Sequence, residues 1–200
     1  MGGRIAALVA AGTVAVGAAG AAQAQTVNDA LAAYNKGDFA TALKDLRLLA
    51  GKGSTTAEID LGAMYHDGQG VKQDDTQAVF WFRKAADQGD ADGEFRLGLY
   101  EYAGVGTPID YAQAVVLLQK SSDQGDASAM GILAACYDGG HGVPQNYVTA
   151  YMWMSLSLAG LDPNSQAHQS AAQSLANIAS HMTPEQIAQS QALAANPGAK

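Results

Sequence analysis

The sequence predicts an all-α solenoid of helix-turn-helix units, and three observations carry that prediction. The first is repetition. Leu61-Gly62, Gly68-x-Gly70, Asp74 and Ala78 return thirty-six residues later as Leu97-Gly98, Gly104-x-Gly106, Asp110 and Ala114. They return again as Leu133-Ala134, Gly140-x-Gly142, Asn146 and Ala150, with no insertion or deletion. A fixed period of this size marks an array of one supersecondary unit. The second is that the recurring residues suit helix boundaries and close helix contacts. The third is composition: hydrophobic residues make up 48% of the chain but aromatics only 7%, with Ala supplying much of the difference. Closely packed helices suit such a mixture better than a large aromatic core.

Residues 1–24 read as an export signal. Arg4 is the only charge before an apolar run, and Ala22-Gln23-Ala24 supplies a small-x-small cleavage pattern before Gln25. The rival reading is a membrane anchor, since the run approaches the length that spans a bilayer. Gly12, Gly17, Gly20 and the many alanines make it only weakly lipophilic. No Cys lies near the cleavage site, so a lipoprotein signal is not expected.

A shortened first unit occupies 25–54. Ala30, Leu31 and Tyr34 fall at helical spacing, and Asp38 can cap a second helix carrying Phe39, Leu43, Leu46 and Leu49. Three full units follow at 55–90, 91–126 and 127–162. Helix A of each runs roughly over 55–66, 91–102 and 127–137, and helix B starts after Asp74, Asp110 or Asn146. These are preferred N-caps, and Gln77 and Gln113 three residues on suggest a capping-box partner. Gly89 and Gly125 suit the left-handed residue that ends a helix. Ser54, Asp90, Asp126 and Asp162 stand one period apart as caps for the next helix, Asp162 with Pro163 at the favoured first position. Gly62, Gly98 and Ala134 are small where helix A should meet Ala78, Ala114 and Ala150 of helix B.

The remainder, 163–200, reads as a cap. A polar, Ala-rich helix from Asn164 to about Ser180 is followed by Thr183-Pro184-Glu185-Gln186, a capping box opening a last helix to about Ala195. An end unit has no neighbour to cover it, so an atypical, polar one is expected. Asn196 onward should fray.

The formal charge is −8, and losing Arg4 with the signal takes it to −9. An acidic surface repels phosphate backbones, which excludes nucleic acid and anionic lipid as expected partners. Cys136 is the only cysteine, so no internal disulfide can form and packing must supply the stability.

At Leu61-Gly62-x-x-Tyr65, Gly68-x-Gly70-Val71, Gln73-Asp74, Ala78 and Trp81-Phe82-x-Lys84-Ala85-Ala86-x-Gln88-Gly89-Asp90 the chain resembles the Sel-one-like repeat (SLR) family, tetratricopeptide-like α/α solenoids. Met182-Thr183-Pro184-Glu185-Gln186-Ile187-Ala188 also looks like the ending of bacterial members. The resemblance spans about 26–195. It implies a right-handed α/α superhelix acting mainly as an adaptor for proteins or peptides, several exported members working in the cell envelope. Cysteine-rich members are credited with penicillin binding or β-lactamase activity, and pair a Cys near the end of helix B with one in the next helix A. Here those positions read Ala86 and Glu94, then Ser122 and Met130. The resemblance therefore does not carry that activity over.

No catalytic signature stands out in the chain. Ser-x-x-Lys, Gly-x-Ser-x-Gly and His-Glu-x-x-His are all absent. The Gly-x-Gly pairs lack a third glycine and follow helices, unlike a dinucleotide loop. His66, His141, His168 and His181 stand at unrelated repeat positions, and Asp87, Asp90, Asp92 and Glu94 have the wrong spacing for a calcium loop. No cofactor or metal is expected. Cys136 sits inside helix A with nothing basic nearby in sequence, as a buried apolar thiol would.

What remains is a surface. The A helices of such arrays line the concave side. If Leu61, Tyr65, Leu97, Leu133 and Tyr137 make the core, a second stripe is left over. It comprises Ile59, Ala63 and His66, then Phe95, Leu99 and Tyr102, then Gly131, Ala135 and Asp138. Two readings stay open: an exposed apolar groove that binds a partner, or core that the superhelix or the cap closes over. The expected function is a non-enzymatic adaptor in the periplasm or outside the cell, binding a protein or extended peptide of the envelope, without membrane insertion after signal cleavage. The alternatives are a penicillin-binding or β-lactamase-like hydrolase and a self-associating structural envelope protein.

Overall fold

The computed structural model describes residues 26–196, and everything described among them is helix, turn or loop. The expected export signal over 1–24 and most of the expected frayed tail lie outside the described residues. A short hairpin comes first, α1 (Val27–Asn35) and α2 (Phe39–Ala50). Three full hairpins follow: α3 (Thr55–Asp67) with α4 (Asp75–Asp87), α5 (Ala91–Ala103) with α6 (Tyr111–Asp123), and α7 (Ala127–Gly139) with α8 (Tyr147–Gly160). Two cap helices, α9 (Gln166–Ala179) and α10 (Pro184–Ala195), close the array.

The boundaries follow from the side chains foreseen. Asp74, Asp110 and Asn146 accept the amides of Gln77, Gln113 and Thr149 at 3.0–3.1 Å. The capping boxes expected at Gln77 and Gln113 do not form. The N–H groups of Asp74 and Asp110 donate instead to the carbonyls of Tyr65 and Glu101, at 2.9 and 3.0 Å. A glutamine side chain has no free amide to meet there. The same loop bond, Asn146 to Tyr137, recurs in the third unit at 2.9 Å.

The start of α9 also departs from expectation. Asp162 does not cap it, and Pro163 lies outside the helix. Asp162 Oδ1 accepts the Asn164 amide at 3.0 Å, closing a separate turn, and the Ser165 hydroxyl then takes the His168 amide at 3.1 Å. Two cap residues three apart compete, and the later one begins the helix. An additional turn therefore separates α8 from α9, where the earlier units use Gln-Gly-Asp.

Each helix packs on its chain neighbour as far as α9, and the buried side chains fall into three clusters that straddle unit boundaries. Leu43 and Leu46 of α2 meet Leu61 and Met64 of α3; Val79 and Phe82 of α4 meet Leu97 of α5 and Leu117 of α6; Leu118 of α6 meets Leu133 of α7, Trp153 of α8 and Ile178 of α9. Phe82 is fully buried, a contribution of about 2–3 kcal/mol. Gly62 makes room for that ring: a Cβ there would stand 2.7 Å from Phe82 Cδ1. The partner expected for Gly62 was Ala78, whereas Gly98 does lie against the Ala114 carbonyl, 3.3 Å from where its Cβ would be.

Polar ties repeat with the same period. Buried Glu58 and Glu94 accept from Gln88 and Gln124 at 2.7 and 2.8 Å. The third unit carries Met130 and Gly160 at those two positions, so donor and acceptor disappear together. The cap is not a hairpin. Both α9 and α10 pack on α8 more than on each other, and fully buried Ser190 of α10 donates to the Val148 carbonyl at 2.9 Å.

Candidate binding surface

Successive A helices α3, α5 and α7 approach one another more closely than α4, α6 and α8 do. That is the arrangement expected where A helices line the inner side of a curved array. On them Ala63, Leu99 and Ala135 stand one period apart, half-buried. Three residues earlier stand Asp60, Arg96 and Ile132, also half-buried.

This line is rotated from the expected stripe. Ile59, placed there from sequence, is 7% exposed and belongs to the core with Val79 and Phe82. Phe95 and Tyr102 pack against the core of the third unit. The Tyr102 hydroxyl lies 2.9 Å from His141 Nδ1, and its ring meets Tyr111 edge-on. Gly131 faces Ser157, whose hydroxyl would lie 3.1 Å from an added Cβ. Positions 60 and 63 point about 80° around the helix from 59 and 66, at about 100° per residue. The neighbouring unit covers the latter side. Of the expected residues, Ala63, Leu99, Ala135 and Asp138 remain on the inner surface, and His66 sits at its loop end with Nδ1 2.6 Å from Asp75 Oδ1.

Asp60 and Arg96 were not foreseen, although opposite charges one period apart were a usable signal. Burial pushes the Asp60 carboxyl up to about 6, with Arg96 pulling the other way and Asp92 adding to the rise. Its Oδ2 is buried without a hydrogen-bond partner. Arg96 donates from Nε to Asp92 Oδ1 at 2.8 Å and lies 5.6 Å over the Phe82 ring.

The line ends in a cleft of about 400 Å³ between α7, α8 and α9. Ala135 and Asp138 form one wall, Met154 and Ile178 lie at the base, and Gln173, Ser174 and Asn177 of α9 form the other wall. The last three could not be read from sequence, because nothing local says where the cap helix rests.

The surface offers recognition groups more than reacting ones. Cys136 is fully buried, and burial pushes its thiol up to about 11, so it is protonated at neutral pH and a poor nucleophile. Among the described residues no three His, Cys, Asp or Glu side chains converge as a metal site.

Comparison with known proteins places this architecture. The Sel1 repeat family matches at residues 55–90, 91–126 and 127–159, more than half the chain. The chain belongs to the Sel1 repeat family. The third match ends at residue 159, next to Gly160, which stands where Gln124 and Gln88 stand one and two units earlier. A Sel1 repeat protein from Oxalobacter formigenes is similar at 23% identity and a TM-score of 0.70, over 86% of this chain and 71% of that one, a likeness of fold alone. A protective antigen present in uropathogenic Escherichia coli strains, displaying an SLR fold, is similar at 27% identity and a TM-score of 0.65. That match covers 88% of this chain but 47% of the antigen, so the chain spans about half its length. No curated protein matches. A Sel1-repeat scaffold is a protein–protein interaction module.

Proposed function

We propose that this Sel1 repeat protein is an exported, non-enzymatic adaptor of the cell envelope that holds a protein or extended peptide along its inner face. The observation that carries the reading is the line Ala63, Leu99 and Ala135. It is half-buried, recurs once per unit, and runs into the cleft. Ala63 and Leu99 belong to none of the three core clusters. Small and aliphatic side chains at one-period spacing suit an extended partner, and the acidic chain favours a basic or neutral one. Export rests on the signal pattern over 1–24.

In-cell crosslinking followed by mass spectrometry tests both halves. The Leu99→Asp variant should lose the envelope partner captured by the parent while melting within a few degrees of it. Capture at parental level would refute the inner-face reading. The mature chain recovered from outside the cytoplasm should begin at Gln25; an intact Met1 in all recovered chain would refute export by cleavage.

A further inference from the structure

At the repeat position shared by His66, Tyr102 and Asp138, the first two side chains are already engaged. His66 meets Asp75 at 2.6 Å, and Tyr102 meets His141 at 2.9 Å. The Asp138 carboxylate makes no hydrogen bond or ion pair among the described residues, yet it lines the cleft under α9. Only its backbone carbonyl is used, by Gln145 at 2.7 Å.

The cleft exists because the array changes at this point. The additional turn before Ser165 delays α9, which approaches α7 less closely than α5 does. Ala135 also removes the bulk that Leu99 supplies one unit earlier. Residues 163–184 contain no Asp, Glu, Lys or Arg, so the wall facing Asp138 carries no formal charge. That wall presents the Ser174 hydroxyl and the Gln173 and Asn177 amides, none of which makes a side-chain hydrogen bond within the described residues. Met154 and Ile178 below are 6% and 2% exposed.

We propose that the cleft takes a lysine side chain of the bound partner, its ammonium on Asp138 and its methylene stem against Met154 and Ile178. An ammonium carries three donors and no acceptor. One carboxylate, one hydroxyl and two amide oxygens can meet those donors, while an apolar base suits a hydrocarbon stem. A carboxylate ligand would face Asp138 with no cation to offset it. A wholly apolar one would cover that charge without replacing the water around it. The proposal deepens the inner-face reading and rests on it: Asp138 becomes the anchor that sets the partner's register along the groove.

The test is an NMR titration of the full mature chain with the N-acetylated, C-amidated pentapeptide Ala-Ala-Lys-Ala-Ala. Its Nε-acetyl-lysine and arginine counterparts serve as comparison peptides. Saturable shifts at the amides of Asp138, Ser174 and Asn177 are expected with the lysine peptide. They should weaken about tenfold or more with the acetylated peptide and with the Asp138→Asn variant, as loss of a charge-assisted contact requires. No site-specific shifts with the lysine peptide, or equal shifts with the acetylated one, would overturn the proposal. Tighter binding of the arginine peptide would overturn the choice of lysine. If the lysine peptide fails while Leu99→Asp still abolishes partner capture, only this inference falls. If the peptide binds while Leu99→Asp captures normally, the inner-face reading falls instead.

Discussion

Asp60 shows how much one side chain can hold against its fold. Its carboxyl is pushed up to about 6 from an ordinary 3.8 because burial disfavours the ion more than Arg96 supports it. The fold therefore binds that proton more tightly than the unfolded chain does. The associated stability is fully present below about pH 3.8 and is lost as pH rises through about 6. Asp60→Asn should consequently stabilise the protein at pH 8 by up to about 3 kcal/mol, the value of a shift of roughly two units. The gain should shrink towards nothing at pH 4. Urea unfolding at both values checks this, and a gain independent of pH would contradict it. In the sequence the side chain stands out only by its opposite charge to Arg96 one period on, because Asp60 is a residue that the repeat pattern leaves free. The caps were legible at the same scale, since Asp74, Asp110 and Asn146 bond to amides only three residues away.

At the scale of the element, the second glycine of each Gly-x-Gly loop sets how closely two units can stack. Gly106 has φ 66°, and a Cβ there would press into the backbone of α4, 2.8 Å from the Thr76 nitrogen and closer still to the Asp75 carbonyl. Gly89 has φ 79° but open space around it. Gly89→Ala should cost only the left-handed backbone, about 1–2 kcal/mol. Gly106→Ala should cost that and a displaced neighbour, about 3 kcal/mol or more. Chemical denaturation of the two variants separates the terms, and equal losses would show that the stacking contact is unimportant. The positive φ was legible in the sequence, because glycine recurs where a helix must end. The contact with the preceding unit was not, since it depends on how one hairpin is set on the last.

For the whole molecule, the cap decides both stability and where the inner face stops. Helices α9 and α10 lie against α8, and Ile178 and Ala171 join a cluster containing Trp153, Met154 and Cys136. A chain ended after Leu161 leaves that apolar surface without a neighbour. It should melt at least about 5 °C lower and associate with itself, because about 1 kcal/mol shifts a domain of this size by a few degrees. Scanning calorimetry with sedimentation checks both, and an unchanged monomeric melt would mean that the cap adds nothing. Of the two, α9 supplies one wall of the Asp138 cleft, so the structure that ends the array also creates its most individual surface.

The sequence by itself determined the period, the boundaries of the repeat helices, the loop glycines and the all-helical class. Each of these is settled within a few residues, by a cap side chain, a positive φ or a missing Cβ. Only the tertiary structure decided which side of the A helices stays open. Ile59, Phe95 and Tyr102 fit a groove pattern as well as Ala63, Leu99 and Ala135 do, and the difference is a rotation set by the way successive hairpins lean together. It likewise decided that α9 starts a turn late and leaves a cleft, because Asp162 and Ser165 are both good caps and nothing local chooses between them.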